Sequence, residues 1–157
     1  MWLSLLERQG TRVGWDELVT GHDFGLLTRE EIQDWLLAHG PLGPLGLAAL
    51  EAGDRFEAAL WEASREATGK VPRPGGRRWA AAQDRWRLAL LKDAMDAPLG
   101  AEALALAVEA IYEKVGCPED MLGLWKRGCP WERKVPVADR SAIERFMQDR
   151  NGVGIPS

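Results

Sequence analysis

RRWAAAQDRWRLALLKDAMD, residues 77–96, carries two tryptophans seven residues apart near the middle of the chain. At helical spacing Trp79, Ala82, Trp86, Ala89 and Leu90 fall on one stripe. Leu88, Leu91, Met95 and Ala81 fall on roughly the opposite side. Arg78, Arg85 and Lys92 share a narrow strip between the two, with Arg87 on the other flank. A helix that is apolar on two faces has neighbours on both, so the pattern predicts a central helix with the other helices collected around it. Core packing accounts for both tryptophans more simply than stacking on a ligand does.

Upstream, KVPRPGGRR (residues 70–78) holds two prolines, two glycines and four basic residues, and reads as an exposed basic loop leading into the central helix. Before it, Asp54 and Glu57 form a capping box. The helix they open has Phe56, Leu60, Ala63 and Ala67 as its inner stripe, Trp61 beside it and Gly69 at its end. PLGPLGLAALEAGD is apolar and glycine-rich; Leu42, Leu45, Ala49 and Leu50 can line a short helix that Gly43, Pro44 and Gly46 weaken at its start. Thr28 and Glu31 make a further capping box, after which Ile32, Trp35, Leu36 and His39 line one face until Gly40-Pro41 stops the helix. GWDELVTGHDFG sets Trp15, Leu18, Val19 and His22 on one face with Gly25 as the C-terminal cap. The short link between these two helices predicts a tight helical hairpin. Leu3, Leu5 and Leu6 fit either a short first helix or an apolar tail.

Downstream, Asp96 and Pro98 suit a helix entry, and Leu104, Val108, Ile111 and Val115 form the next core stripe, with Tyr112 beside it and Gly116 as cap. Cys117-Pro118-Glu119-Asp120 starts a short helix carrying Met121, Leu122 and Trp125. GCPWERKVPVAD is an irregular loop with Trp131 and two prolines. The last helix, about 139–150, packs Ile143, Phe146 and Met147, and residues 152–157 are a tail. No stretch alternates as a strand does over five residues between turns. The expected fold is all-α: one helical domain over residues 1–157, with seven or eight short helices packed around the helix at 77–96.

The chain of 157 residues has the length of one domain, and 46% hydrophobic with 28% charged residues is ordinary for a globular protein. MWLSLLERQG lacks the basic start and small-residue cleavage site of a secretory signal, and no window approaches the ~20 apolar residues of a membrane span. Two cysteines, Cys117 and Cys129, are too few for a disulfide framework, so a reduced cytoplasmic protein is the simplest expectation. The formal charge of -4 is unevenly spread. Between Lys70 and Lys92 stand seven basic residues against Asp84 alone, a net of +6, which leaves -10 for the remainder. An acidic body with one basic strip suits a charged partner or simple solubility.

Motifs that carry catalysis are missing. There is no GxSxG, HExxH, P-loop, or GxGxxG after a strand. Cys117 and Cys129 lie outside any CxxC, and His22 and His39 sit on apolar faces of a different hairpin, so no recognised zinc spacing exists. The acidic pairs Asp16-Glu17, Glu30-Glu31 and Glu119-Asp120 each fall in a first helical turn, where the macrodipole favours acids without any catalysis. No catalytic residue, metal or cofactor is expected. Nucleic-acid binding through the basic strip at 70–92 is disfavoured by the acidic whole and by tryptophans that occupy the core stripe.

AIYEKVGCPEDMLGLWKRGCP, in the second half, resembles a signature of a family of uncharacterised small bacterial proteins known only as a domain of unknown function. The carrying features are an Ile-Tyr pair ending a helix, a small turn, Pro-Glu-Asp-Met, and an aromatic-bearing turn before another proline. WDELVTGHDFGLLTREEIQDWL is similar in the same way: a Trp-led helix, a glycine, then a Thr-capped helix. The likeness covers about residues 14–150; the chain departs from the pattern at Cys117, where an aromatic is expected, and in its Pro/Gly/Arg loop at 72–78. The resemblance implies a single-domain protein of immunity type, which neutralises a cognate toxin by binding it and needs no catalytic residues.

On that reading the aromatic anchors are sought outside the core stripes, at Trp125, Trp131 and Trp61, and the acidic contacts at Asp16, Glu17, Asp23, Glu119 and Asp120. Trp131, between Pro130 and Glu132, is either folded back as a plug on the core or displayed. The alternatives are a small ligand-binding domain or enzyme with a pocket beside the central helix, and a nucleic-acid binder using the strip at 70–92.

Overall fold

The computed structural model describes residues 2–39, 55–126 and 136–153. Within them the chain is all-α, with seven α-helices. Helix α1 spans Trp2–Arg8, α2 Trp15–Asp23, α3 Arg29–His39, α4 Phe56–Thr68, α5 Arg77–Asp96, α6 Ala101–Lys114 and α7 Arg140–Val153. The chain divides into two compact units, Met1–Arg85 and Trp86–Ser157, and α5 gives its first nine residues to one and the rest to the other.

In the first unit, local chemistry sets the helix ends. Burial of Leu3, Leu5 and Leu6 makes the opening a helix and not a tail. At the start of α2 the Glu17 carboxylate accepts the Gly14 N–H at 2.9 Å, so one of the donors a helix start leaves unpaired is satisfied from within. That helix closes as expected: Gly25 adopts a φ of +69°, and Leu26 N–H reaches back to the Gly21 carbonyl at 2.9 Å. Thr28 caps α3, its hydroxyl accepting the Glu31 N–H at 3.1 Å. Phe56, Leu60 and Ala63 are buried on α4, while Ala67, in the last turn, is exposed. Gly69 ends α4 with a φ of +88°. Helices α2 and α4 pack on each other, and Leu18, Val19, Leu26, Leu27, Ile32, Leu36 and Ala82 are further buried residues of this unit. The Asp54 half of the expected capping box and the helix expected at Leu42–Leu50 lie outside the described residues.

In the second unit Trp86 is 0% exposed, and Ala89, Leu90 and Leu91 are buried with it. The opposite side of α5 is covered less than its composition suggests: Leu88 and Met95 are half-buried and Ala81, in the first unit, is exposed. Helix α6 starts after Gly100, two residues beyond Pro98, and buries Leu104, Ala105, Val108 and Ile111. Gly116 and Cys117 then turn left-handed in succession, with φ of +91° and +55°, and Cys117 N–H bonds to the Tyr112 carbonyl at 2.9 Å. The short helix expected next is a single 3₁₀ turn, Glu119–Met121. It leads into β1 (Trp125–Lys126), which pairs antiparallel with β2 (Val137–Ala138), Trp125 opposite Ala138. At two residues each these strands are too short for alternation to reveal, and they leave the all-α class unchanged. Asp139 caps α7 by accepting the Ala142 N–H at 3.0 Å, and Ile143 and Phe146 fill the unit's core.

Candidate functional site

Asp16 and Glu17, adjacent in sequence, hold two arginines spaced seven residues apart on α5. Asp16 accepts a hydrogen bond from Arg78 Nε at 3.0 Å and a second from Arg78 Nη2, while Glu17 lies against the Arg85 guanidinium. A seven-residue spacing is close to two helical turns, so both arginines present to α2 from one side of α5. Arg78 reaches further: Nη1 donates to the Lys70 carbonyl at 2.6 Å and Nη2 to Thr68 Oγ1 at 2.9 Å. The end of α4, the following loop, α2 and the first turn of α5 are thereby tied to one guanidinium. Its pKa is raised above the ordinary arginine value, chiefly by the hydrogen bonding it donates to Asp16.

Beside this tie lies a cleft of about 600 Å³. Its wall carries Arg65 from α4, Lys70 and Arg73 from the loop, and Arg77, Arg78 and Trp79 from the first turn of α5, with no acidic residue among the described ones. The loop is shaped by a turn at Arg73-Pro74-Gly75-Gly76, closed by Gly76 N–H on the Arg73 carbonyl at 2.9 Å. Proline second and a glycine of φ +86° third is the pattern of a type II turn, and a side chain at Gly75 would be strained there. The loop is exposed over most of its length and anchored by the buried Pro72. Trp79 meets Phe24 edge to face, ring centroids 5.3 Å apart.

A second constellation stands at the start of α4. His22, Asp23 and Glu57 bring one donor atom each to within 4.8 Å of one another. His22 Nδ1 is buried without a hydrogen-bond partner and stands 3.9 Å from Asp23 Oδ1, while the ring packs on Phe56 at 5.5 Å. Ligands sharing one small divalent ion sit about 3–3.5 Å apart, so these groups would have to close slightly to hold a metal. Packing around Asp23 raises its pKa above the ordinary carboxylate value, and Glu57 adds to the rise while His22 opposes it. One turn beyond Glu57, Trp61 is 38% exposed.

Other acids and aromatics singled out in the sequence are distributed differently. Asp120 accepts two hydrogen bonds from Arg87, at 2.7 and 2.9 Å, and one from Arg150. Both guanidiniums lie over the Phe146 ring, 4.9 and 3.8 Å from its centroid. Burial pushes the Asp120 pKa upward, but the hydrogen bonds from Arg87 and Arg150 prevail and hold it below the ordinary range. Glu119 is exposed in the 3₁₀ turn. Trp125 is only 5% exposed and meets Tyr112 edge to face, its ring centroid 5.3 Å away. Trp131 and Cys129 lie outside the described residues.

Thus Asp16, Glu17 and Asp120 are engaged by arginines of the chain itself, Asp23 meets Glu57, and Trp61 stands one turn along the same helix as Glu57. Glu57 entered the sequence reading only as a cap. Its place four residues before Trp61 on one helix was the signal available for a larger role. Comparison with family models, with curated proteins and with solved structures finds no match to this chain.

Proposed function

We propose that the protein is a non-enzymatic protein-binding domain of immunity type, which neutralises a cognate bacterial toxin by direct contact through the outer face of α4. The observation that carries this reading is Trp61, displayed at 38% exposure one turn from Glu57, whose carboxylate adjoins that of Asp23. A large ring left more than a third exposed, on the helix that carries Glu57, has the composition of an anchor with an acidic rim. Such a rim favours a basic partner. The ion pairs of Asp16, Glu17 and Asp120 support placing recognition here, because a carboxylate already satisfied within its own chain has less to offer a partner.

The test is binding to any toxin domain encoded by a neighbouring gene, measured by calorimetry and by protection in co-expression. Trp61→Ala should weaken the complex by ~2 kcal/mol, about 30-fold, and leave the melting temperature nearly unchanged. Unaltered affinity in that variant, or failure of the wild type to bind and protect, would overturn the reading.

A further inference from the structure

We infer that the basic cleft between the end of α4 and the first turn of α5 is a binding site for a small polyphosphate ester, with a nucleoside triphosphate as the best-matched class. The inference does not depend on the partner-binding reading and concerns a different part of the first unit.

Three observations carry it. The first is charge without compensation. Of the five cations in the wall, Arg78 is neutralised by Asp16, whereas Arg65, Lys70, Arg73 and Arg77 form no ion pair among the described residues. Like charges gathered around one cleft repel, so the arrangement favours an anionic guest that relieves the repulsion. Four net positive charges suit the three to four negative charges of a triphosphate. The second observation is that the cleft is built and held. Arg78 ties Thr68, the Lys70 carbonyl and Asp16 together, and the Arg73–Gly76 turn is closed by its own hydrogen bond. A side chain on Gly76 would come within 3.1 Å of the Arg73 carbonyl, so that turn is compact as well as closed. Arginines carried on such a backbone frame can meet phosphate oxygens in bidentate fashion. The third is shape and chemistry together. About 600 Å³ lies within the range of small-molecule sites, and the wall includes the Trp79 indole, a surface for a heterocycle. Backbone N–H groups in the first turn of a twenty-residue helix add to the attraction for phosphate.

The sequence strip at 70–92 suggested nucleic acid, but the wall draws on only part of it. Arg85 is turned to Glu17, Arg87 to Asp120 and Lys92 to Asp96. What remains is a compact pocket of cations and not a track along the helix, which favours a small ligand over a strand.

The experiment is calorimetry and thermal melting of the full chain with four probes at low salt: ATP, tripolyphosphate, inorganic phosphate and a single-stranded oligonucleotide. ATP is expected to bind and raise the melting temperature, tripolyphosphate to bind about tenfold more weakly for want of the ring contact, and phosphate weakest. Added salt should weaken all three. Arg73→Glu, at an exposed residue outside any ion pair, should reduce ATP affinity at least about tenfold, while the charge-matched Arg12→Glu, elsewhere on the surface, should leave it unchanged. No binding of ATP at ~1 mM, equal loss in the two variants, or an oligonucleotide that outcompetes ATP would each overturn the proposal.

Discussion

Asp23 is a carboxylate held against its own preference. Packing around it and the nearby Glu57 both favour its protonated form, and His22 only partly offsets them. Because the folded state holds this proton more tightly than the unfolded chain does, Asp23 favours folding below about pH 4. That contribution is lost as pH rises through the raised folded-state value. Asp23→Asn should therefore stabilise the protein at pH 7, by no more than ~0.5 kcal/mol because the residue is exposed and solvent screens its charge. The gain, about one to two degrees in melting temperature, should shrink when the melts are repeated at pH 4. A destabilised variant at pH 7 would mean that the His22 contact dominates. Trp86 makes the opposite case, a residue wholly given to structure. At 0% exposure, its truncation to alanine should cost ~3–5 kcal/mol in urea unfolding; a loss under 1 kcal/mol would mean the pocket around it can collapse. Its burial was legible because Trp86, Ala82, Ala89 and Leu90 repeat at helical spacing. Trp125 could not be read in the same way, because its environment is made by a two-residue ladder and by Tyr112, neither of which leaves a periodic trace.

At the scale of elements, caps are local and pairings are not. Thr28, Gly25, Gly69 and Gly116 announce helix ends within a few residues of themselves, and the ends fall where they indicate. Asp16 meets Arg78 across 62 residues of chain, and Arg87 meets Asp120 across 33, distances over which a lone sequence carries no pairing signal. Arg87 in particular reads as a flank residue of α5 yet is 5% exposed, a burial that Asp120 offsets by answering both its terminal nitrogens. That tie joins α5 and the 3₁₀ turn, and Arg150 adds α7. Since the pKa of Asp120 is depressed in the folded state, its contribution is present above the ordinary carboxylate value near pH 4 and lost as pH falls through the folded value. Asp120→Asn should lower stability at pH 7 by roughly 1–3 kcal/mol, towards the lower figure because the carboxylate is partly exposed, and should flatten the acid limb of the stability profile below pH 4. An acid limb identical to the wild type's would show that other carboxylates govern acid unfolding.

At the scale of the whole molecule the net charge is -4, and both candidate surfaces lie in the first unit and share α4. Glu57 and Trp61 stand towards its start, and Arg65 lines the basic cleft towards its end. The segregation into a +6 strip was visible in the sequence, but which cations would remain unpaired depended on the long-range carboxylates that claim Arg78, Arg85 and Arg87. For a basic toxin, the acidic end should govern how fast the partner arrives and the ring how long it stays. Long-range attraction acts on the encounter, whereas a desolvated aromatic contact forms only once the partners have docked. Glu57→Lys should therefore slow association several-fold at ~50 mM salt, with the difference fading towards ~0.5 M, and should change the dissociation rate little. Trp61→Ala should do the reverse, speeding dissociation by ten- to thirtyfold at nearly constant association rate. Stopped-flow or surface-resonance traces of the two variants against the same toxin separate the roles. Were Glu57→Lys to act wholly on dissociation, independently of salt, the carboxylate would belong to the buried contact and the steering would have to come from elsewhere on the acidic surface.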